Sequence, residues 1–151
     1  YTKTFGETIT LHNLVHINTL GESSLGIVSL VKCKFSHLYF AAKAIFKRLL
    51  TQEDIVENLK KEKEVSKNID HPFLTKLVKT IQTKDYVIFL KEYANGRELY
   101  VAMDELGLFN KYTSQFYVSS ILYGLDYLHN KNLVYRDIKP ENIIICENGY
   151  I

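Results

Sequence analysis

The stretch Val134-Tyr-Arg-Asp-Ile-Lys-Pro-Glu-Asn-Ile-Ile144 places an aspartate, a lysine and an asparagine on a short loop between two apolar segments. Pro140 stiffens the turn that separates Lys139 from Asn142. Charged residues on such a loop are most often ordinary solvated turn residues. The close spacing of Asp137, Lys139 and Asn142 instead favours a site where a base, a phosphate-facing cation and a metal-facing amide converge.

The composition restricts the class of protein. A chain of 151 residues suits one domain of ordinary size or a piece of a larger one. With 46% hydrophobic and 13% aromatic residues it can bury a core, so a disordered tail is excluded. The formal net charge of +2 comes from basic and acidic residues spread along the chain, which predicts no binding to nucleic acid.

Cysteine usage and hydropathy indicate the cellular setting. Cys33 and Cys146 lie far apart, and neither has a second Cys or His at a metal-ligand spacing. This pattern predicts a reducing, cytoplasmic environment and no zinc. The chain has no apolar run of about eighteen residues, so no transmembrane segment is expected. Residues 1–10 lack a signal-peptide pattern and begin without Met, and we expect an excerpt or a processed end.

Hydrophobic periodicity predicts a sheet in the first part of the chain. Five segments have strand character: residues 9–17, 27–33, 38–46, 77–81 and 86–92. A turn-rich segment with Gly21, Ser23, Ser24 and Gly26 joins the first two.

A helix is predicted between the third and fourth strands. Thr51 would start it, with Asp54 completing something close to a capping box. One face of this helix carries four residues at helical spacing: Ile55, Leu59, Glu62 and Ser66. Glu62 therefore lies on an inward face and needs a cationic partner.

After the Asn95-Gly96 turn the pattern changes from strand to helix. Residues 112–130 predict one long helix with a buried face, and residues 143–146 predict a short strand. Asn148-Gly149 is a strong hairpin turn signal. The predicted fold is α+β with two lobes joined near Asn95-Gly96.

Three separated motifs resemble those of the protein kinase catalytic domain, in the same order and over essentially the whole chain. The motifs are Gly21-Glu-Ser-Ser-Leu-Gly26-Ile-Val28, Phe40-Ala-Ala-Lys43 and Tyr135-Arg-Asp-Ile-Lys-Pro-Glu-Asn142. Tyr135, where most kinases have His, is typical of the AGC group. The stretches Asn95-Gly-Arg-Glu-Leu-Tyr100 and Leu125 to Asp137 are most similar to kinases that depend on cyclic nucleotides, cGMP especially.

The resemblance implies a kinase-like α+β fold with a five-stranded antiparallel N-lobe sheet and one main helix. Residues 15–94 would form the N-lobe and hinge, and residues 95–151 the start of a helical C-lobe through the catalytic loop. The chain contains no Asp-Phe-Gly, activation loop or Ala-Pro-Glu motif. Without these motifs we expect the chain alone to be inactive. We also expect it to aggregate, because the helix at 112–130 would lack part of its packing surface.

The resemblance also implies a serine/threonine kinase that uses ATP and Mg²⁺. Asp137 would orient the substrate hydroxyl and accept its proton, and Lys139 would stabilise the transferring phosphoryl group. Asn142 would ligate Mg²⁺. Lys43 would hold the α- and β-phosphates while Glu62 holds Lys43. The alternative for this last pair is a surface salt bridge.

Further residues are implied to bind the nucleotide. Backbone amides from Gly21 to Gly26 would close over the phosphates, although an ordinary hairpin is the alternative. A P-loop NTPase is rejected because Ile27 and Val28 replace the required Lys and Ser or Thr. The walls of the adenine site, equally interpretable as core, would be Leu20, Val28, Ala41, Leu99 and Ile144. The hinge groups would come from Glu92 to Ala94.

Acidic residues on the substrate side suggest the partner. By the resemblance, Glu98 would meet the ribose and, with Glu141, would attract an Arg upstream of the target Ser or Thr. A basic protein or peptide is the expected substrate. Any cyclic-nucleotide regulatory domain would lie outside this chain.

Several residues depart from the family pattern. Ser23 replaces the second glycine of the loop, and Ser66 replaces a large apolar residue. Lys91 stands before the hinge, where it would line the back of the adenine pocket. We expect Lys91 to compete with Lys43 for Glu62 and to bond the Ser66 hydroxyl, or else to turn its head to water. These departures favour an alternative function, a pseudokinase or scaffolding module with weakened nucleotide binding.

Overall fold

The structure, a computed structural model, describes residues 9–23 and 25–151; Ser24 of the predicted turn and the first eight residues lie outside the described part. The chain divides into two compact units. The first comprises residues up to Asp70 together with Thr75–Tyr93, and the second comprises His71–Leu74 and Ala94–Ile151.

The first unit is built on an antiparallel sheet with strand order β1-β2-β3-β5-β4. Its strands are β1 (Leu14–Ser23), β2 (Gly26–Cys33), β3 (Tyr39–Phe46), β4 (Leu77–Gln82) and β5 (Tyr86–Glu92). Helix α1 (Glu53–Lys67) connects β3 to β4. The predicted five-stranded antiparallel sheet with one main helix is confirmed.

The predicted position of the first strand is wrong. Residues 11–13 form a 3-10 turn, and β1 then continues through Gly21 to Ser23, which pairs with Gly26. The register shifts between Thr19 and Gly21, an irregularity at which a glycine is well tolerated. Most of the expected turn-rich segment is therefore strand, because cross-strand pairing with β2 overrides the local turn preference.

The predicted start of α1 is also wrong. The helix begins at Glu53 after Gln52, and no side chain caps it, so Thr51 and Asp54 do not form a capping box. Acidic side chains in the first turn favour a start here, since they face the positive end of the helix dipole. The inward face is as predicted: Ser66 is buried, and Glu62 is half-buried.

The two faces of the sheet have different characters. One face carries the hydrophobic core cluster, which includes Val31, Phe40, Ala42, Ile88 and Leu90. Cross-strand partners share a face. The pairs Val28↔Lys43, Lys43↔Phe89 and Ala41↔Lys91 therefore lie together on the opposite face. Phe89 and Ile45 are fully buried on this face, so the face that carries both lysines also has buried apolar side chains.

The second unit contains two helices and a small two-stranded sheet. The helices are α2 (Leu99–Leu106) and α3 (Lys111–His129), and the strands are β6 (Gly96–Glu98) and β7 (Ile144–Cys146). Helix α3 matches the predicted helix within one residue, and its N-terminus is capped by Asn110, whose side chain accepts a hydrogen bond from the Thr113 amide. Helix α2 was not predicted as a separate helix.

The end of the described chain turns as predicted. The Cys146 amide donates to the Tyr150 carbonyl at 2.7 Å, and Gly149 adopts a left-handed φ of 84°. In the part of the chain that the structure describes, none of the helices combines the length and the apolar character needed to cross a lipid bilayer.

Candidate active site

The two glycines of the predicted phosphate loop have different surroundings. A Cβ atom on Gly26 would lie 1.9 Å from the carbonyl oxygen of Ala44, because β2 approaches β3 closely at this point. A Cβ atom on Gly21 would meet nothing within 4 Å. Gly26 is thus required by the packing of the sheet, whereas the space that a side chain would take at Gly21 is open.

Lys43 and Glu62 are brought together by β3 and α1. The Nζ atom of Lys43 lies 3.5 Å from both carboxylate oxygens of Glu62. Each side chain is 32% exposed, so the pair is partly withdrawn from water. The distances exceed the 2.7–2.9 Å or so that is usual for a charge-assisted hydrogen bond. Lys43 therefore has a carboxylate partner, but the contact is longer than a typical ion-pair hydrogen bond.

Lys91 makes the predicted contact with the same carboxylate. Its Nζ atom lies 3.4 Å from Oε1 of Glu62, and its side chain is 29% exposed. The expected hydrogen bond to Ser66 is wrong: among the described residues, Lys91 bonds the carboxylate rather than that hydroxyl. Two ammonium groups consequently share one carboxylate on this face of the sheet.

The remaining nucleotide-site candidates of the first unit lie close to these lysines or at the strand ends. Val28 pairs with Lys43 and Ala41 pairs with Lys91, and both are half-buried. Leu20 is 43% exposed on β1. The Glu92 amide donates to the Lys76 carbonyl at 3.0 Å, so this amide is already engaged within the first unit.

The carboxylate of Glu92 has a role that sequence reasoning missed. Its Oε2 atom accepts a hydrogen bond from the Lys76 amide at 3.2 Å. Together with the main-chain bond between the same two residues, this contact fixes the end of β5 to the segment that precedes β4. The alternation of apolar residues carries no signal for such a bond.

The loop that was singled out by its spacing brings its three residues together within the second unit. The Asn142 amide nitrogen donates to Asp137 Oδ2 at 2.7 Å and to the Asp137 carbonyl at 2.8 Å. The Lys139 Nζ atom lies 3.3 Å from Asp137 Oδ1. A 3-10 turn at Pro140–Asn142 folds the chain back, which places the asparagine next to the aspartate.

The contacts of Asp137 set its charge state. The hydrogen bond from Asn142, followed by that from Lys139, lowers the pKa of Asp137 below its ordinary value. Burial raises the pKa of the Tyr135 hydroxyl, and the charge of Asp137 adds to this effect. Near neutral pH the loop therefore presents an ionised aspartate, which can accept a proton, next to an un-ionised tyrosine.

Arg136 has a strained backbone that the sequence did not indicate. Its φ is 68°, in the left-handed region that few residues other than glycine adopt. A residue held there directly before Asp137 changes the direction of the chain at the start of the loop. Such strain is characteristic of functional sites. Arginine has no preference for this conformation, so composition gives no signal for it.

The donor atoms near Asp137 fit a partial magnesium site. Among the described residues, no group of three or more His, Cys, Asp or Glu side chains could hold a metal ion. The Asn142 amide nitrogen makes both bonds to Asp137, so its Oδ1 oxygen is the atom that can face a cation. Magnesium prefers oxygen ligands and commonly completes its shell with phosphate oxygens and water.

The other candidates of the second unit lie on or near the two-stranded sheet of β6 and β7. Glu98 pairs with Ile144, and the Leu99 amide donates to the Ile143 carbonyl at 2.7 Å. Leu99 is buried and Ile144 half-buried, whereas Glu98 and Glu141 are exposed. Ala94, at the start of this unit, is half-buried.

Comparisons with known proteins agree with the motifs. The family model of the protein kinase domain matches residues 14–151. The cGMP-dependent protein kinase of Plasmodium berghei (strain Anka) is 36% identical over 143 residues, which are 95% of this chain and 17% of that protein. The RAC-beta serine/threonine-protein kinase B of Xenopus laevis is 37% identical over 143 residues, 95% of this chain and 30% of that protein.

A further relative, the cGMP-dependent protein kinase of Toxoplasma gondii, is 34% identical over 143 residues, 95% of this chain and 14% of that protein. The chain thus spans less than a third of the length of each of these relatives.

Proposed function

This chain belongs to the protein kinase domain family, and on that premise we propose that its full-length protein transfers the γ-phosphate of ATP to Ser or Thr residues. The observation that carries the proposal is the convergence of Asp137, Lys139 and Asn142 on one loop, with bonds of 2.7 to 3.3 Å between them. An ionised carboxylate next to a lysine and an amide is the chemistry that phosphoryl transfer to a hydroxyl requires.

Each residue of this loop has a distinct role. Asp137 accepts a hydrogen bond from the substrate hydroxyl and takes its proton, since its lowered pKa keeps the carboxylate ionised. Asn142 holds the carboxylate in place through the 2.7 Å bond to Oδ2. Lys139 supplies positive charge where negative charge develops on the phosphoryl oxygens.

The first unit contributes phosphate binding. Lys43 contacts the α- and β-phosphates, while Glu62 positions its ammonium group. The backbone from Gly21 to Gly26 covers the phosphates, and the open surroundings of Gly21 support this role. Adenine packs on the apolar side chains of Val28 and Ala41.

Magnesium fits the same proposal. Asn142 would hold the ion through Oδ1, and the bound ion would neutralise phosphate charge.

The substrate is proposed to be a basic peptide. Glu98 and Glu141 are exposed on the second unit, and their charge favours an Arg or Lys upstream of the target residue. The names of two of the relatives also suggest control by cGMP, through a regulatory domain outside this chain.

A second candidate function, a pseudokinase or scaffolding module, is favoured by one observation. Glu62 is shared between Lys43 and Lys91, and an unshared carboxylate would hold Lys43 more firmly. Retention of Asp137 and Asn142 on their loop favours the enzyme.

The test compares variants of the full-length protein for transfer of labelled phosphate from ATP to Arg-containing peptides. Asp137→Asn is expected to lower transfer at least ~100-fold, because it removes the general base. Asp104→Asn, which neutralises an exposed carboxylate on α2, serves as the matched control and should leave transfer unchanged. If Asp137→Asn kept its phosphate-transfer activity, the proposed kinase function would be refuted.

A second experiment applies the same phosphate-transfer assay to the 151-residue chain by itself. We expect it to be inactive, because it contains no Asp-Phe-Gly motif to provide the second magnesium ligand. Turnover by this chain that Asp137→Asn abolishes would contradict that expectation.

A further inference from the structure

The ion cluster on the α1-facing side of the sheet is unbalanced in charge. Two ammonium groups, from Lys43 and Lys91, lie 3.4 to 3.5 Å from the single carboxylate of Glu62. All three side chains are about one-third exposed. Water screens the cluster only in part, so the division of the carboxylate between the two lysines has an energetic consequence.

We propose that Lys91 is a positioning residue that restrains the phosphate-binding lysine by taking a share of Glu62. The inference rests on the proposed function, because it assumes that Lys43 contacts ATP phosphates. Lys91 acts on Lys43 through the carboxylate and does not itself contact the substrate or the reacting atoms.

The sheet register explains why both lysines reach the same carboxylate. Ala41 pairs with Lys91, and Lys43 follows two residues later on the same face of β3. The two lysine stems therefore leave neighbouring strands on one side of the sheet. Glu62 projects from α1 onto that side and meets both heads.

The distances indicate how the sharing weakens the central pair. Lys91 takes Oε1, which is also one of the two oxygens that Lys43 contacts. Neither lysine achieves the shorter separation of about 2.8 Å that is usual for an ammonium and a carboxylate. The carboxylate is thus held at an intermediate position. If Lys91 lost its charge, Glu62 could align on Lys43 alone and pre-organise it for the phosphates.

Ser66 is a small residue on the same helix as Glu62. It lies one helical turn after Glu62 on the same inward face of α1 and is buried, with a relative exposure of 7%. A serine at this position occupies less of the inward helix face than a large apolar residue would.

A simpler effect of Lys91 would have the opposite sign. If the lysine acted only as an additional positive charge, it would attract the phosphates of ATP, and its removal would weaken ATP binding. The restraint predicts tighter binding after the same change. The direction of the change in ATP affinity therefore separates the two effects.

The experiment measures the ATP dissociation constant of the full-length protein by equilibrium titration. Lys91→Met, which keeps the stem and removes the charge, is expected to tighten ATP binding about two- to fivefold, the range for a partly solvated ion pair. Lys79→Met is the matched control: Lys79 stands on the adjacent strand opposite Leu90 and bonds the Ile9 carbonyl at 2.7 Å. The Lys79→Met variant also removes one positive charge, but Lys79 does not contact Glu62, so this variant should not tighten ATP binding. Lys91→Thr gives a second variant with a shorter side chain.

The dependence on Glu62 tests the route of the effect. In a Glu62→Gln background, Lys91→Met is expected to give no tightening, because no carboxylate remains to be shared. Unchanged or weaker ATP binding in both Lys91 variants would overturn the inference, as would equal tightening in the Glu62→Gln background.

Lys43→Met in the same titration separates this result from the proposed function. If Lys43→Met weakens ATP binding while the Lys91 variants do not tighten it, only the restraint is refuted. If Lys43→Met changes neither ATP binding nor phosphate transfer, the proposed role of Lys43 fails, and the inference fails with it.

Discussion

Replacing Gly26 by alanine should destabilise the sheet of the first unit, whereas the same change at Gly21 should not. The added Cβ at Gly26 would lie 1.9 Å from the Ala44 carbonyl oxygen and 3.0 Å from the Ile45 Cα. Both contacts are with backbone, so no side-chain rotation relieves them. Restoring an ordinary contact of 3.4 Å requires β2 and β3 to separate locally by about 1.5 Å.

The size of the effect follows from the strand pairing at this point. A separation of that size breaks the hydrogen bonds at the Gly26↔Ile45 end of the β2–β3 ladder. With roughly 1 kcal/mol net for each lost bond and some residual strain, the expected cost is about 2–3 kcal/mol. For a unit of this size, that lowers the midpoint of thermal unfolding by roughly 10–20 °C.

Gly21→Ala is the internal control, because a Cβ there meets nothing within 4 Å. Its expected effect on stability is about 0.5 kcal/mol or less in either direction. Thermal unfolding of the two variants, together with amide hydrogen exchange of β2 and β3, measures the difference. A Gly26→Ala protein with the wild-type midpoint and wild-type protection of these strands would refute the steric argument.

Two further predictions concern the second unit. Asn142→Ala should raise the pKa of the Asp137 carboxyl toward its ordinary value, since it removes the main cause of the lowering; NMR titration of the carboxyl carbon checks this. The lowered pKa of Asp137 stabilises the folded state at pH values above the unfolded-state pKa, and this stability is lost as the pH falls through the folded-state pKa. Asn142→Ala should therefore make the free energy of unfolding depend less on pH in the acid range. An unchanged titration curve of Asp137 would contradict the prediction. Asn110→Ala should cost about 1 kcal/mol, because it removes the cap of α3, and an unchanged unfolding free energy would count against it.

The sequence predicted those parts of the fold that depend on periodicity. Strands β3, β4 and β5 and the long helix α3 lie within one or two residues of their predicted positions, because each has a regular apolar pattern. The ends were predicted less well. The start of α1 was placed at Thr51 because its side chain could cap a helix, but the helix begins without any side-chain cap.

The candidate site was predictable where its contacts are local or follow from a shared face. Asp137 and Asn142 are five residues apart, and a tight turn was enough to predict their proximity. The contact of Lys91 with Glu62 was expected from the family resemblance, which placed Lys91 before the hinge, together with the inward helix face of Glu62. The φ of Arg136 and the crowding at Gly26 depend on atomic positions in three dimensions, which a residue pattern does not contain.

The order of strands in the first unit has a consequence for how the protein folds. Of the four pairings among the described strands, three join strands that follow one another in the chain, and β3–β5 spans α1 and β4. Closing the long segment between β3 and β5 costs more chain entropy than forming a hairpin, so this pairing is expected late. Lys43, Glu62 and Lys91 come from β3, α1 and β5, and can meet only after that closure. Charge changes in this cluster should therefore alter the unfolding rate more than the folding rate.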